Sequence, residues 1–295
     1  MSRETLERIA FIVPDDALEM FESALGAHCR AVSFYQNEAE QTWLLEAVRE
    51  HGANEAGLQG ALALAEMITG FAPHIERGPI EAGGWLAKTR QAFPEQVIGK
   101  SFAVRGTHVT TPRNPHRFTM VIDAGLAFGS GEHFSTRLCL IALEDIARHH
   151  RPRRIADIGA GSGVLGFAAA HCFHRPILAT DIDARAVRVA RENAKLNRLH
   201  PSFRAVAANG WNSLTLARAA PFDLVFANIL ARPLCAMAKS LAQNLAPGGI
   251  AILAGLLNSQ ANQVVAAHRR AGLILERKLT EDAWAALILR RPATG

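Results

Sequence analysis

From Phe118 to its end the chain alternates short, nearly all-apolar runs with amphipathic stretches, and few folds tolerate that rhythm. The runs Ile155–Ile158, Ile177–Thr180, Phe203–Val206, Leu224–Ala227 and Ile250–Ala254 read as strands. Helical stretches Gly163–His171, Ala184–Asn197, Pro233–Leu245 and Ser259–Arg270 fall between or after them. Strands apolar on both faces and separated by helices predict a parallel sheet covered on both sides. Two last strands, Leu273–Lys278 and Ala285–Leu289, lie only a few residues apart and predict a closing antiparallel hairpin.

The first 79 residues have another rhythm. Strands are expected at Ile9–Val13, Ala31–Tyr35, Gln41–Val48 and Pro73–Arg77, although the third of these runs fits a helix equally well. Helices are expected at Asp15–Gly26 and Asn54–Gly70, the second with Leu58, Leu62, Leu64 and Met67 on one side. The order β-α-β-β-α-β predicts a small α+β domain of ferredoxin-like type. Residues 80–117 read as a connector, with a helical stretch after Gly83-Gly84-Trp85, a short strand at Phe102–Val104 and a loop at Thr110–Pro115. The expected division is therefore 1–79, 80–117 and 118–295.

The sharpest motif is Ile155-Ala156-Asp157-Ile158-Gly159-Ala160-Gly161-Ser162-Gly163, a strand entering a glycine-rich turn before a helix. Glycines let backbone approach a ligand closely, and the following helix offers free N–H groups. Gly161, Gly163 and Gly166 match the dinucleotide pattern G-x-G-x-x-G, which would suit an NAD-dependent oxidoreductase. An acidic residue followed by G-x-G-x-G, here Asp157, Gly159, Gly161 and Gly163, suits S-adenosylmethionine instead. Placement favours the second, because Gly159 follows the strand directly while the dinucleotide count starts two residues late. A carboxylate at Asp157 would repel a pyrophosphate and suit the cationic methionine end. Asp181, ending the second strand, is placed to accept both ribose hydroxyls, and Asp183 to cap the next helix. No residue suited to relay a proton beside a nicotinamide stands out, which counts against the oxidoreductase.

The fourth strand ends in Asn228-Ile229-Leu230. Open α/β sheets bind ligands at the carboxyl ends of their strands. The Asn228 side-chain carbonyl and the Ile229 backbone carbonyl are thus candidates to hold the N–H bonds of an amine and aim its lone pair at a methyl donor. A nucleobase substrate would call for an aromatic after the Asn, and Ile229-Leu230 supplies none, so an aliphatic amine fits better.

Composition narrows the partners. The formal charge is +5, which mildly favours an acidic partner such as RNA or a ribonucleoprotein. The basic run His149-His150-Arg151-Pro152-Arg153-Arg154 reads as a solvated loop, with a weak rRNA contact as the alternative. Cys29, Cys139, Cys172 and Cys235 are far apart with no zinc-ligand spacing, so free thiols and no metal are expected. A charged N-terminus and the lack of a long apolar run point to the cytoplasm and no membrane.

Upstream of the first strand lies Asp123-Ala124-Gly125-Leu126-Ala127-Phe128-Gly129-Ser130-Gly131-Glu132-His133-Phe134-Ser135-Thr136, then Leu138-Cys139-Leu140. With the glycine-rich turn, Asp181-Ile182-Asp183, Asn228-Ile229-Leu230, Pro247-Gly248-Gly249 and Gly255-Leu256-Leu257-Asn258-Ser259-Gln260, this run resembles the PrmA family, bacterial enzymes that methylate protein eleven of the large ribosomal subunit. Trp284 in the closing hairpin fits as well, while Ala124 replaces the family's usual proline. The resemblance implies a class I, Rossmann-like methyltransferase sheet preceded by a substrate-capturing α+β domain; separately, the chain is expected to act as a monomer. It implies that Thr136, Gly159, Asp181 and Asn228 contact S-adenosylmethionine; Asp157 and Gly161 join them from the turn motif. It also implies that lysine side chains and an N-terminal α-amine of that ribosomal protein accept the methyl groups; another protein lysine is the alternative. His133 reads as a loop-structuring group or a neighbour of the transfer site, and Glu132 as a contact to the methionine amine or a solvated side chain.

Overall fold

The computed structural model describes residues 6–29, 31–37, 42–80, 95–122 and 134–293. Expectations for Trp85 and its helical stretch, Glu132 and His133 lie outside these residues. Two compact units divide the chain, Met1–Ala92 and Phe93–Gly295. Among the described residues no helix is long and apolar enough to cross a membrane.

In the first unit, strands β1 (Leu6–Pro14), β2 (Ala31–Asn37), β3 (Thr42–Glu50) and β4 (Glu76–Ile80) form one antiparallel sheet in the order β2-β3-β1-β4. Helices α1 (Leu18–Gly26) and α2 (Glu55–Thr69) complete the ferredoxin-like order expected from the sequence. Alternate residues of β1 and β3, including Ile9, Phe11, Val13, Trp43 and Leu45, are buried with Phe21 and Leu25 of α1 and Leu58 and Leu62 of α2. Two details differ from the sequence reading. The buried stripe of α2 is Leu58, Leu62 and Ala65, whereas Leu64 and Met67 are exposed. At about 100° per residue Met67 falls half a turn from Leu58, so the four leucine and methionine positions cannot share a face. Strand β4 begins three residues later than expected, because pairing Ala10 with Glu76 and Leu6 with Ile80 sets its register.

The second unit carries a three-stranded sheet of β5 (Gln96–Ile98), β6 (Phe102–Arg105) and β7 (Phe118–Val121), in that order. Its main sheet has seven strands: β8 (Ile155–Ile158), β9 (Ile177–Asp181), β10 (Phe203–Ala207), β11 (Phe222–Asn228), β12 (Leu245–Leu257), β13 (Ile274–Glu281) and β14 (Trp284–Arg290). The order is β10-β9-β8-β11-β12-β14-β13. The first five are parallel; β14 pairs antiparallel with β12 and β13 with β14, which is the order and closing hairpin that the resemblance implies. Helices α3 (Phe134–His149), α4 (Val164–Phe173), α5 (Ala184–Leu196), α6 (Leu214–Ala219), α7 (Ala231–Asn244) and α8 (Ala261–Arg270) complete this unit. The six-residue α6, capped by Ser213, is too short for the sequence pattern to reveal. Ala156, Ile158, Val225, Ala227, Ala251 and Leu253 are fully or almost fully buried, as expected of strands covered on both faces.

One buried polar cluster holds the first unit. Arg49 is 1% exposed, lies 3.2 Å from Glu7 and 3.2 Å from Glu55, and donates to the Ala53 carbonyl. Arg49→Met leaves buried Glu7 with only the exposed His51 ring, 3.3 Å away, and should destabilise the protein by about 3–5 kcal/mol in urea unfolding, with most of the loss recovered by adding Glu7→Gln.

Candidate functional site

Strand register assembles the site. Ile158 pairs with Thr180 of β9 and with Ala227 of β11. The next residues of the three strands, Gly159, Asp181 and Asn228, therefore leave the sheet side by side at its carboxyl edge. Adjacent strands lie about 4.8 Å apart, so Asp181 and Asn228 stand roughly 10 Å apart with the glycine-rich turn between them.

Backbone bonds fix the turn. Gly159 and Ala160 both donate to the Thr180 carbonyl, at 2.7 and 2.9 Å. Gly159 has φ +73°, and a Cβ there would collide with Cγ2 of Ile229, so only glycine lets β8 turn under the end of β11. Gly166 serves packing instead: a Cβ on it would press into Phe203 and Ile177. That close helix–sheet contact accounts for the literal dinucleotide match.

Asp181 accepts from Gly161 N at 2.9 Å through one oxygen and from Asp183 N at 3.0 Å through the other. A carboxylate has about four acceptor positions, so a half-exposed Asp181 keeps capacity for two outward donors. Asp183 caps α5 by accepting from Arg185 N at 2.8 Å. Asn228 donates through Nδ2 to Thr136 Oγ1 at 3.3 Å, while its Oδ1 is buried with no protein partner. Thr136 itself is 1% exposed, on the first turn of α3. The Ile229 backbone is anchored by its N–H to the Ala254 carbonyl at 3.1 Å.

Asp157 lies at a different level. It is 1% exposed, and Oδ2 accepts from Gly166 N at 3.0 Å, while Oδ1 has no partner. Burial pushes its carboxyl up to about 7, the Gly166 N–H opposes that rise and the Asp181 charge adds to it.

The residues present suit a ligand with a vicinal diol and a cationic end. Spare carboxylate acceptors at Asp181, an orphaned amide oxygen at Asn228 and the carboxylate of Asp157 are all acceptors for donors or positive charge. No group of His, Cys, Asp and Glu side chains suited to a metal occurs among the described residues, and the four cysteines are free.

Gly255 and Gln260 escaped assignment from sequence. Gly255 sits at φ +80°, and a Cβ there would stand 2.6 Å from the Ile229 carbonyl oxygen. Gln260 accepts from Leu257 N at 2.9 Å and holds the chain just beyond. The glycine inside the apolar run Ile250–Leu257 was the available signal.

Two outcomes test this geometry. Gly255→Ala forces a side chain into a left-handed conformation and against Ile229, so chemical denaturation should show a loss of about 2 kcal/mol or more. Because the folded Asp157 carboxyl titrates near 7 and the unfolded one near 3.8, its stabilising contribution is complete below about 3.8 and is lost as pH rises through about 7. Melting temperatures between pH 4 and 8 should fall less steeply with rising pH in Asp157→Asn than in the wild type.

The chain's relatives agree with this layout. A family model described as ribosomal protein L11 methyltransferase (PrmA) matches residues 17–292. A ribosomal protein L11 methyltransferase of Bradyrhizobium diazoefficiens is 38% identical, over 95% of this chain and 90% of its own length. One from Rhodopseudomonas palustris is 34% identical over 99% of both. The crystal structure of a ribosomal protein L11 methylase from Lactobacillus delbrueckii subsp. bulgaricus superposes with a TM-score of 0.60 at 28% identity, covering 67% of this chain and 98% of that one. A match over nearly the whole length, on a sheet of this order, means that the chain belongs to the ribosomal protein L11 methyltransferase (PrmA) family.

Proposed function

We propose that the protein transfers methyl groups from S-adenosylmethionine to lysine side-chain and N-terminal α-amines of ribosomal protein L11. The observation that carries this reading is the orphaned Asn228 Oδ1, a buried acceptor at the strand tip beside the glycine-rich turn. Leaving a buried acceptor unpaired costs about 1–3 kcal/mol, and an incoming N–H removes that penalty.

S-adenosylmethionine, when bound, supplies an electrophilic methyl group on a sulfonium. Asp181 would accept the ribose hydroxyls, with Gly159 and Gly161 allowing close approach of the backbone. Thr136, through its hydroxyl, holds Asn228 and completes the contact set with Asp157 beneath the turn. Asn228 Oδ1 and the Ile229 carbonyl would hold the N–H bonds of a neutral amine so that its lone pair faces the methyl carbon, a catalysis by orientation. A lysine ammonium has an ordinary pKa near 10.4 and must first lose a proton. Desolvation beside positive charge lowers that value, and the proton leaves to bulk water. Residues 1–79 would capture the ribosomal protein and 118–295 carry the chemistry, with 80–117 as connector.

Asn228→Ala should lower kcat by about 100-fold, the scale of a misaligned reactant, with a much smaller change in cofactor affinity. Asp181→Ala should weaken cofactor binding by about 1.5–3 kcal/mol in calorimetry. Normal turnover in the first variant removes the orienting role, and unchanged affinity in the second removes the ribose contact.

A further inference from the structure

The parallel strands present their carboxyl ends to the site, so their amino ends form an opposite edge whose side chains the reaction does not use. That edge is strongly cationic. Arg153 and Arg154 precede β8, Arg175 precedes β9, and Arg198 and Arg204 flank the start of β10. All five are exposed, and none has an ion-pair or hydrogen-bond partner for its side chain among the described residues.

Other arginines near this edge are already engaged. Arg151 donates to the Ala147 and His150 carbonyls at the end of α3, at 2.7 and 2.8 Å. Arg290 pairs with Glu276, and Arg291 donates to Ala242 and Leu245 carbonyls. Arg277 and Arg148 share Asp145. Asp223 lies close by, but its Oδ2 is taken by the backbone N–H groups of Arg153 and Arg154, at 2.8 and 2.9 Å. This bond fixes the loop and leaves the two guanidinium groups outward. A groove of about 310 Å3, lined by Arg151, Arg153 and Asp223 among apolar side chains, runs from the loop to the turn at Pro247-Gly248-Gly249.

We propose that this edge binds the phosphodiester backbone of RNA. Strands β10, β9 and β8 are neighbours, so the five free arginines spread along a line of roughly 10 Å set by strand spacing. A row of like charges without paired carboxylates suits a polyanion with repeating charge, and the planar guanidinium fork suits phosphate oxygens. Neutralising these groups does not require base contacts, so the binding is insensitive to sequence and sensitive to salt. The proposal is independent of the methyl-transfer reading, since none of these side chains belongs to the site.

The test is fluorescence anisotropy of the full-length protein with a labelled single-stranded RNA of about 20 nucleotides, a length that exceeds common single-strand site sizes, measured across a salt series. Wild type should bind at low salt and weaken steeply as salt rises. Arg153→Glu combined with Arg154→Glu and Arg175→Glu should weaken binding at least tenfold. Loss of three phosphate contacts should make the log–log salt slope shallower by about 2. The same variant should keep its cofactor affinity and its melting temperature. A control with equal charge change on other surfaces, Arg188→Glu, Lys239→Glu and Lys278→Glu, should retain most of the binding. Equal loss in both triple variants would overturn the proposal in favour of net charge alone. So would absence of RNA binding by wild type, or tighter binding to anionic phospholipid vesicles or polyglutamate than to RNA.

Discussion

Three parallel strands in register hold the candidate site together. Pairing of Ile158 with Thr180 on one side and Ala227 on the other brings Gly159, Asp181 and Asn228 out of the sheet in one row. No loop has to find these groups a position, because the sheet hydrogen bonds already supply it. A slip of one residue in either pairing would move the carboxylate or the amide out of line and turn its strand's side chains to the other face.

The row demands local concessions from the chain. β8 can turn beneath β11 only because Gly159 has no Cβ to strike Ile229, and Gly255 gives the Ile229 carbonyl the same clearance from the other side. Ile229 is thus gripped between two glycines of different strands, with its N–H on Ala254. Beneath the turn, Asp157 is buried with a single backbone N–H for company, and Asn228 carries an unpaired oxygen. Buried polar atoms without partners are uncommon in folded proteins, and two of them at one strand edge single it out as the candidate site.

Much of this was legible from the sequence because the strands of the second unit are continuous apolar runs with helices between them, a pattern that only a covered parallel sheet explains. Asp181 and Asn228 could be placed because each ends such a run. Cooperation between strands was not legible. Neither the contact of Gly255 with Ile229 nor the acceptance of the Gly166 N–H by Asp157 has a local signature, since the partners are far apart in sequence or level. Helix α2 differs for another reason: its larger apolar side chains, Leu64 and Met67, lie off the stripe, and the helical period that joins Leu58 and Leu62 selects the small Ala65 instead. Strand β4 carries Pro79 and Gly78, and its register is set by β1 rather than by its own residues.

The most direct measurement is to incubate the protein with S-adenosylmethionine carrying an isotopically labelled methyl group and purified ribosomal protein L11, then locate the label by peptide mass spectrometry. Label on lysine ε-nitrogens and the N-terminal α-amine is the predicted result. Label on carboxylate oxygens alone, or no transfer by a protein that instead binds a nicotinamide dinucleotide, would contradict the account.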